Sequence, residues 1–173
     1  MSIKNISILS ILLLLTFVAN AQEKSKKQLK EEKKAEQVKA IEELVNSKTF
    51  VFYANSALPQ GYKTVHLTGS GYTVEFSPEV IKSYLPYYGR AYAGAGYGND
   101  NGMKFEGKPE KYTVTLTKKN YRLNAEVKGE YDTYRLSMTI GFAGNASLNI
   151  ISNNRSSITY NGELRAAKSA ESK

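Results

Sequence analysis

Apolar and polar residues alternate along most of the chain after residue 48, which is the pattern of strands with one buried face. The alternation starts at Thr49–Asn55, where Phe50, Phe52 and Ala54 share one side. It becomes regular after Phe105, in runs at residues 112–116, 121–127, 134–140, 147–152 and 157–164. Short polar connections separate most of these runs, so neighbouring strands are predicted to form antiparallel hairpins.

Between the first strand and the later runs, the pattern predicts a hairpin and a short helical turn. The hairpin joins residues 62–67 and 71–76 around the glycine-containing turn at 68–71. The helical turn covers residues 77–81, with Ser77 as the N-cap and Pro78 at the first helical position.

Apolar residues at helical spacing lie among lysines and glutamates in the region before the strands. Val38, Ile41 and Val45 fall on one helical face, which is better developed toward its C-terminal end. Residues 22–47 are therefore predicted to form one charged amphipathic helix that begins solvated and contacts the rest of the protein late.

About eight half-buried strands must bury their apolar faces, and a single helix cannot cover all of them. The fold class predicted from this balance is mainly β, a lipocalin-like curled or closed antiparallel meander of about eight strands preceded by one charged N-terminal helix. The β-barrel-like domain is expected over residues 48–164, with a disordered polar tail at 165–173. A barrel of this size is either filled by side chains or hollow.

Residues 1–21 have the three parts of a secretory signal peptide. Lys4 supplies the positive charge, residues 6–18 are almost continuously apolar, and Ala19-Asn20-Ala21 provides small residues for cleavage. The apolar run is shorter than the roughly 20 residues of a membrane-spanning helix, so no stable membrane span is expected after cleavage. Because the chain has no cysteine for lipid attachment, we expect an exported periplasmic protein that is not a lipoprotein.

The charge of the chain bears on its partners. The formal net charge is +8, which by itself is compatible with nucleic-acid binding. Acidic and basic residues are mixed in both the helix and the strands, and the expected compartment contains no nucleic acid. Nucleic acid is therefore not expected as a partner, and a small molecule, a glycan or an envelope protein remains.

The rhythm of the strands breaks at Ser83–Phe105, a stretch rich in tyrosine and glycine. Tyrosine and arginine are common at binding surfaces because they combine a broad apolar face with hydrogen-bonding groups. The candidate ligand-binding residues are Tyr84, Tyr87, Tyr88, Arg90, Tyr92, Tyr97 and Arg155. In the alternative interpretation the tyrosines close the end of the barrel and Arg90 hydrogen-bonds to loop carbonyls.

Three segments of the chain resemble a known family. They are Ser83–Tyr92 (SYLPYYGRAY), Gly102–Phe105 (GMKF) and Asn154–Gly162 (NRSSITYNG). Together they resemble an uncharacterised family of exported Bacteroidetes proteins, domain of unknown function 4251, over roughly Val45 to Leu164. The resemblance implies a single exported domain of lipocalin-like β architecture, and it implies no known activity or ligand. Tyr88 stands where much of the family has phenylalanine.

Catalytic and metal chemistry find little support in the sequence. His66 is the one histidine and cysteine is absent, so no catalytic residue, metal ligand or cofactor is assigned. Any two acidic residues brought together by the fold can act in glycoside hydrolysis. The acidic residues considered for this role are Glu75, Asp100, Glu106, Glu126 and Asp132.

Three classes of function follow from these observations. We favour a non-enzymatic binding or envelope-accessory domain that uses the tyrosine, glycine and arginine loop at the mouth of the barrel. The first alternative is a hydrolase of an envelope polymer, which requires two close carboxylates in unlike environments. The second is a structural module that binds another protein through a sheet edge or the charged helix.

Overall fold

The computed structural model describes residues 26–69, 71–92, 102–130 and 132–167, so the predicted signal peptide and residues 168–173 lie outside it. These ranges contain a helix, α1 (residues 26–47), followed by ten strands. The strands are β1 (Phe50–Pro59), β2 (Val65–His66), β3 (Thr73–Phe76), β4 (Ile81–Pro86), β5 (Gly102–Gly107), β6 (Pro109–Leu116), β7 (Asn120–Lys128), β8 (Thr133–Gly141), β9 (Asn145–Ser152) and β10 (Ile158–Ala166).

All ten strands belong to one antiparallel sheet. Their order is β5-β4-β3-β1-β10-β9-β8-β7-β6, and β2 pairs with β1 beside β3. From β6 to β10 the sheet is a simple meander, as the short polar connections predicted. The two edge strands, β5 and β6, are separated in sequence only by Lys108. The chain thus passes directly from one edge of the sheet to the other, and the sheet curls into a nearly closed barrel.

The ten segments occupy about eight strand positions around the barrel. β5 and β6 run in the same direction as one bent strand, whose first half pairs with β4 and whose second half pairs with β7. β2 and β3 likewise lie along a single edge of β1. The predicted mainly β, curled antiparallel fold is confirmed.

Two local predictions were wrong. The segments at 62–67 and 71–76 do not pair with each other, because β1 is long enough for both β2 and β3 to pair along its edge. Residues 77–80 form a tight turn between β3 and β4 instead of a helical turn. The Ser77 hydroxyl still accepts the Val80 N–H at 3.0 Å, and the Ser77 N–H donates to the Val80 carbonyl at 3.0 Å. Side-chain capping by Ser77 was therefore correct in kind, within a β-hairpin.

The inward faces of the strands meet in one cluster of buried side chains. The largest fully buried members are Tyr160, Phe50, Phe52, Phe76, Ile81, Leu85, Met103, Leu123, Leu136, Met138, Ile140 and Leu148. The rings of Phe50 and Phe76 stack with their centroids 4.7 Å apart. Burying a side chain of this size stabilises the fold by roughly 1.5–3 kcal/mol, so the barrel interior is the main source of stability in a protein without disulfides.

The last part of α1 covers one end of this core. From Val38 onward the chain forms one compact unit that includes all the strands, while residues before it belong to a separate unit. Ile41 and Val45 are buried in the core cluster, which confirms that the helix contacts the strands near its C-terminal end. At the other end of the sequence, β10 continues to Ala166 instead of stopping at Leu164.

Tyr112 on β6 provides a pH-dependent test of the core. Its hydroxyl is buried and has no hydrogen-bond partner within the described residues, and burial raises its pKa from 10.0 to about 12. A tyrosine whose pKa is higher in the folded state stabilises the fold below pH ~10 and loses that contribution as the pH rises toward ~12. We expect Tyr112→Phe to leave stability unchanged or slightly higher at neutral pH, and to reduce the fall between these pH values. Urea denaturation of both proteins across this range measures the effect, and a Tyr112→Phe protein that is less stable at neutral pH would contradict it.

Candidate binding site

The candidate residues lie mainly at the end of the barrel opposite the C-terminal part of α1. β1 begins directly after the helix, so its end at Pro59 lies at the far end of the barrel. The antiparallel pairing brings Pro86 at the end of β4 and Ile158 at the start of β10 to the same end. We call this the loop end of the barrel.

A short segment after β4 is fixed to the turn between β9 and β10. Backbone hydrogen bonds run from the Ser156 N–H to the Arg90 carbonyl at 2.9 Å, and from the Tyr92 N–H to the Asn154 carbonyl at 2.8 Å. Ala91 and Arg155 form an isolated antiparallel bridge between them. Residues 90–92 are therefore held in an extended conformation, and side chains at alternate positions point to the same side.

Tyr87 is used to hold this segment in place. Its hydroxyl lies 2.7 Å from the Arg90 carbonyl oxygen, 3.0 Å from the Ser156 carbonyl oxygen and 2.8 Å from Ser156 Oγ. A Cβ on Gly89 would overlap the Tyr87 hydroxyl and lie 2.6 Å from Ser156 Oγ, so glycine permits the close approach. The placement of Tyr87 supports the alternative interpretation, in which it closes the barrel end.

Arg155 has a similar role across the loop end. Its Nη1 donates to the Gly102 carbonyl at 2.6 Å, and its guanidinium lies 5.1 Å from the centre of the Tyr87 ring. The arginine that hydrogen-bonds to a loop carbonyl is therefore Arg155. Arg90, to which the alternative interpretation gave this contact, donates from Nε to the Tyr62 hydroxyl at 3.1 Å.

Several candidate tyrosines remain exposed on this fixed framework. Tyr88 is 43% exposed, Tyr92 is 60% exposed, and Tyr62 is 49% exposed beside Arg90. We call Tyr62, Tyr88, Arg90 and Tyr92 the mouth surface. Tyr97, also a predicted site residue, lies outside the described residues.

A groove lies next to the same loops and includes residues that the sequence did not single out. Its volume is about 260 Å³, and it is lined by Tyr72, Tyr84, Leu85, Pro86, Tyr87, Gly102 and Lys104. Tyr84 is 51% exposed, and Lys104 Nζ lies 4.3 Å from the centre of its ring. Tyr84 and Lys104 are direct neighbours across β4 and β5, so the register of the hairpin creates this pair.

Burial changes the titration of two tyrosines near the mouth. It strongly raises the pKa of Tyr160, whose hydroxyl donates to the Pro86 carbonyl at 2.6 Å. It also raises the pKa of Tyr134, whose ring stacks on Phe105 with centroids 4.1 Å apart. Both phenols are therefore neutral at physiological pH and act as hydrogen-bonding and packing groups.

The acidic residues considered for hydrolysis have other contacts. Glu106 pairs with Lys82 at 3.0 Å, and Glu126 pairs with Lys111 at 3.0 Å. Asp132 accepts hydrogen bonds from Ser152 Oγ and from backbone N–H groups of the β9–β10 turn.

Other chemistry-bearing residues are dispersed. Glu75 and His66 are exposed, and Asp100 lies outside the described residues. Within residues 26–69, 71–92, 102–130 and 132–167, no three histidine, aspartate or glutamate side chains are placed to share a metal ion.

Fold and site define a small mainly β protein whose nearly closed antiparallel barrel exposes tyrosines at its loop end. A sequence model described as "Domain of unknown function (DUF4251)" matches residues 32–164, and the chain therefore belongs to this family. The resemblance noted at Ser83–Tyr92 and the two later segments is thus confirmed.

A solved structure has the same fold. It is the crystal structure of a DUF4251 family protein from Bacteroides eggerthii DSM 20697, which aligns with a TM-score of 0.59 and 18% sequence identity. The alignment covers 75% of this chain and 87% of that chain. A comparison with curated proteins found no match. In the part of the chain that the structure describes, no helix is both long and apolar enough to cross a membrane.

Proposed function

We propose that this protein is an exported, non-enzymatic binding or accessory domain of the cell envelope that captures its ligand on the mouth surface. The signal peptide predicted at residues 1–21 and the Bacteroides origin of the structural neighbour support this location. A periplasmic ligand or partner is then a small molecule, a glycan or an envelope protein.

The observation that carries the proposal is the exposure of tyrosines on a rigid backbone. Tyr88 and Tyr92 present large aromatic faces to solvent, while residues 90–92 are paired to the β9–β10 turn. A side chain whose backbone is already ordered loses less conformational entropy on binding. Rigid, exposed tyrosines beside an arginine are the residue types that dominate binding surfaces.

The first test is native mass spectrometry of the protein purified from its own envelope, compared with the same sample after denaturation. The proposal expects an additional mass that is lost on denaturation. A small mass identifies a molecule or glycan, and a second polypeptide identifies an envelope protein. A clean monomer in the native sample would contradict the proposal.

Arg90→Ala should remove this bound mass with little effect on folding. The arginine side chain contacts only the Tyr62 hydroxyl among its printed side-chain hydrogen bonds, and the hydrogen bonds that fix the segment come from its backbone. We expect stability to change by less than about 0.5 kcal/mol. Leu116→Ser is a matched control, because Leu116 is 60% exposed on β6 and should retain the bound mass. An Arg90→Ala protein that unfolds more easily and keeps its ligand would assign Arg90 a structural role.

A further inference from the structure

The groove beside the mouth surface has a lining that indicates a ligand class. We propose that the groove formed by Tyr72, Tyr84, Pro86, Gly102 and Lys104 binds a carboxylate-bearing sugar ring, the hexuronate unit of an acidic glycan. This inference concerns a site separate from the mouth surface and does not depend on the function proposed there.

The size of the groove limits the ligand to a single ring. Pockets for drug-sized ligands have volumes of roughly 300–1,000 Å³, and this groove has about 260 Å³. One pyranose ring is compatible with this volume, and the rest of a glycan chain must extend into solvent. The groove lies on the surface beside β4 and β5, so such an extension meets no barrier from the filled barrel core.

The aromatic lining suits the apolar face of a sugar ring. Tyr72, Tyr84 and Tyr87 contribute to the walls, and their rings offer apolar faces with hydroxyl groups at the rim. Tyr84 is held from one side by Lys104, whose Nζ lies 4.3 Å from the ring centre. This cation–π contact orders both side chains before any ligand binds. A sugar ring offers hydroxyls to the phenols, which an aromatic carboxylate lacks.

The charge of the lining favours an anion over a neutral sugar. Lys104 is the one charged residue among the described residues that line the groove, and none of them is acidic. The next acidic side chain along β5, Glu106, is engaged by Lys82 at 3.0 Å. Hydrogen bonds between an ammonium and a carboxylate are about twice as strong as neutral ones. A carboxylate on the sugar therefore gains an interaction that glucose does not.

The test is an NMR titration of the isotope-labelled full chain with glucuronate, galacturonate, glucose, benzoate and inorganic phosphate. We expect saturable shifts of Tyr84 and Lys104 resonances with at least one hexuronate, and binding about tenfold weaker or absent with glucose. Equal binding of glucose would overturn the role of the charge. Equal binding of benzoate or phosphate would overturn the assignment to a sugar acid, and no saturable shift with either hexuronate would overturn the site.

Matched variants locate the binding. Lys104→Gln should weaken hexuronate binding by about tenfold or more, the usual effect of losing a hydrogen bond to a charged group. Lys82→Gln removes an exposed lysine from the neighbouring strand and should leave hexuronate binding unchanged. Tyr92→Ser should also leave it unchanged, because Tyr92 belongs to the mouth surface. Equal losses in Lys104→Gln and Lys82→Gln would show a general charge effect and overturn the proposed site.

Discussion

Gly162→Ala is expected to lower the free energy of unfolding by about 3 kcal/mol, or to prevent folding altogether. Gly162 on β10 pairs with Ala54 on β1, next to the register shift between Ala54 and Ser56. A Cβ added there would overlap the Tyr53 carbonyl oxygen and lie 3.0 Å from the Ala54 Cα. Because both neighbours are backbone atoms, a change of side-chain rotamer cannot relieve the clash. The two strands would have to separate at the centre of the sheet.

Gly71→Ala is the control for this effect. No atom lies within 4 Å of a Cβ built at Gly71, and we expect its stability to stay within about 0.5 kcal/mol of the unmodified protein. Urea denaturation of the three proteins gives the comparison. Equal midpoints for Gly162→Ala and Gly71→Ala would show that β1 and β10 adjust more easily than their contact indicates.

Elements with a strong local period were predictable from the sequence. Residues 121–127 alternate without interruption, and β7 buries Tyr121, Leu123, Ala125 and Val127 as this pattern requires. The same reasoning holds for the end of α1, where Ile41 and Val45 share a helical face. Periodicity reports which side of an element is buried, and this depends only on residues close in sequence.

Pairing between distant segments was not predictable in the same way. The sequence around β2 and β3 has the glycines of a hairpin, yet both strands pair with β1. Strand β5 was taken as part of an irregular loop because of its glycines, although Met103 and Phe105 alternate with charged residues. Its place at the edge of the sheet depends on β4 and on the bend at Lys108. These are tertiary relations that no local period reports.

The candidate site was located by composition, and its division of labour was not. The sequence indicated that the tyrosine and glycine stretch was special, and the structure places Tyr88, Arg90 and Tyr92 together on a fixed segment. The structural role of Tyr87 depends on Ser156, a contact across 69 positions of the chain. The role of Arg155 depends on Gly102, which is 53 positions away. Tyr62 and Lys104 carried no local signal, since only their tertiary neighbours make them part of a surface.

Tyr160 joins the barrel core to the loop end, and its replacement is expected to have the second large effect. The side chain is fully buried on β10, and its hydroxyl donates to the Pro86 carbonyl at 2.6 Å. Tyr160→Ala should lower the free energy of unfolding by about 3–5 kcal/mol, because it leaves a cavity among large core side chains. Tyr160→Phe keeps the packing and should cost about 1–2 kcal/mol, since the Pro86 carbonyl then loses a buried donor. Urea denaturation measures both values.

The comparison with Tyr112→Phe separates the hydrogen bond from the loss of an oxygen atom. Tyr112 also has a buried hydroxyl, but that hydroxyl has no partner within the described residues, so its removal should cost nothing. Pro86 ends β4 just before the segment that carries the mouth surface. Tyr160→Phe should therefore also speed hydrogen exchange at the Tyr92 and Ser156 amides, which fix that segment. Unchanged exchange at these amides, with a normal loss of global stability, would show that the segment is held by Tyr87 and Arg155 alone.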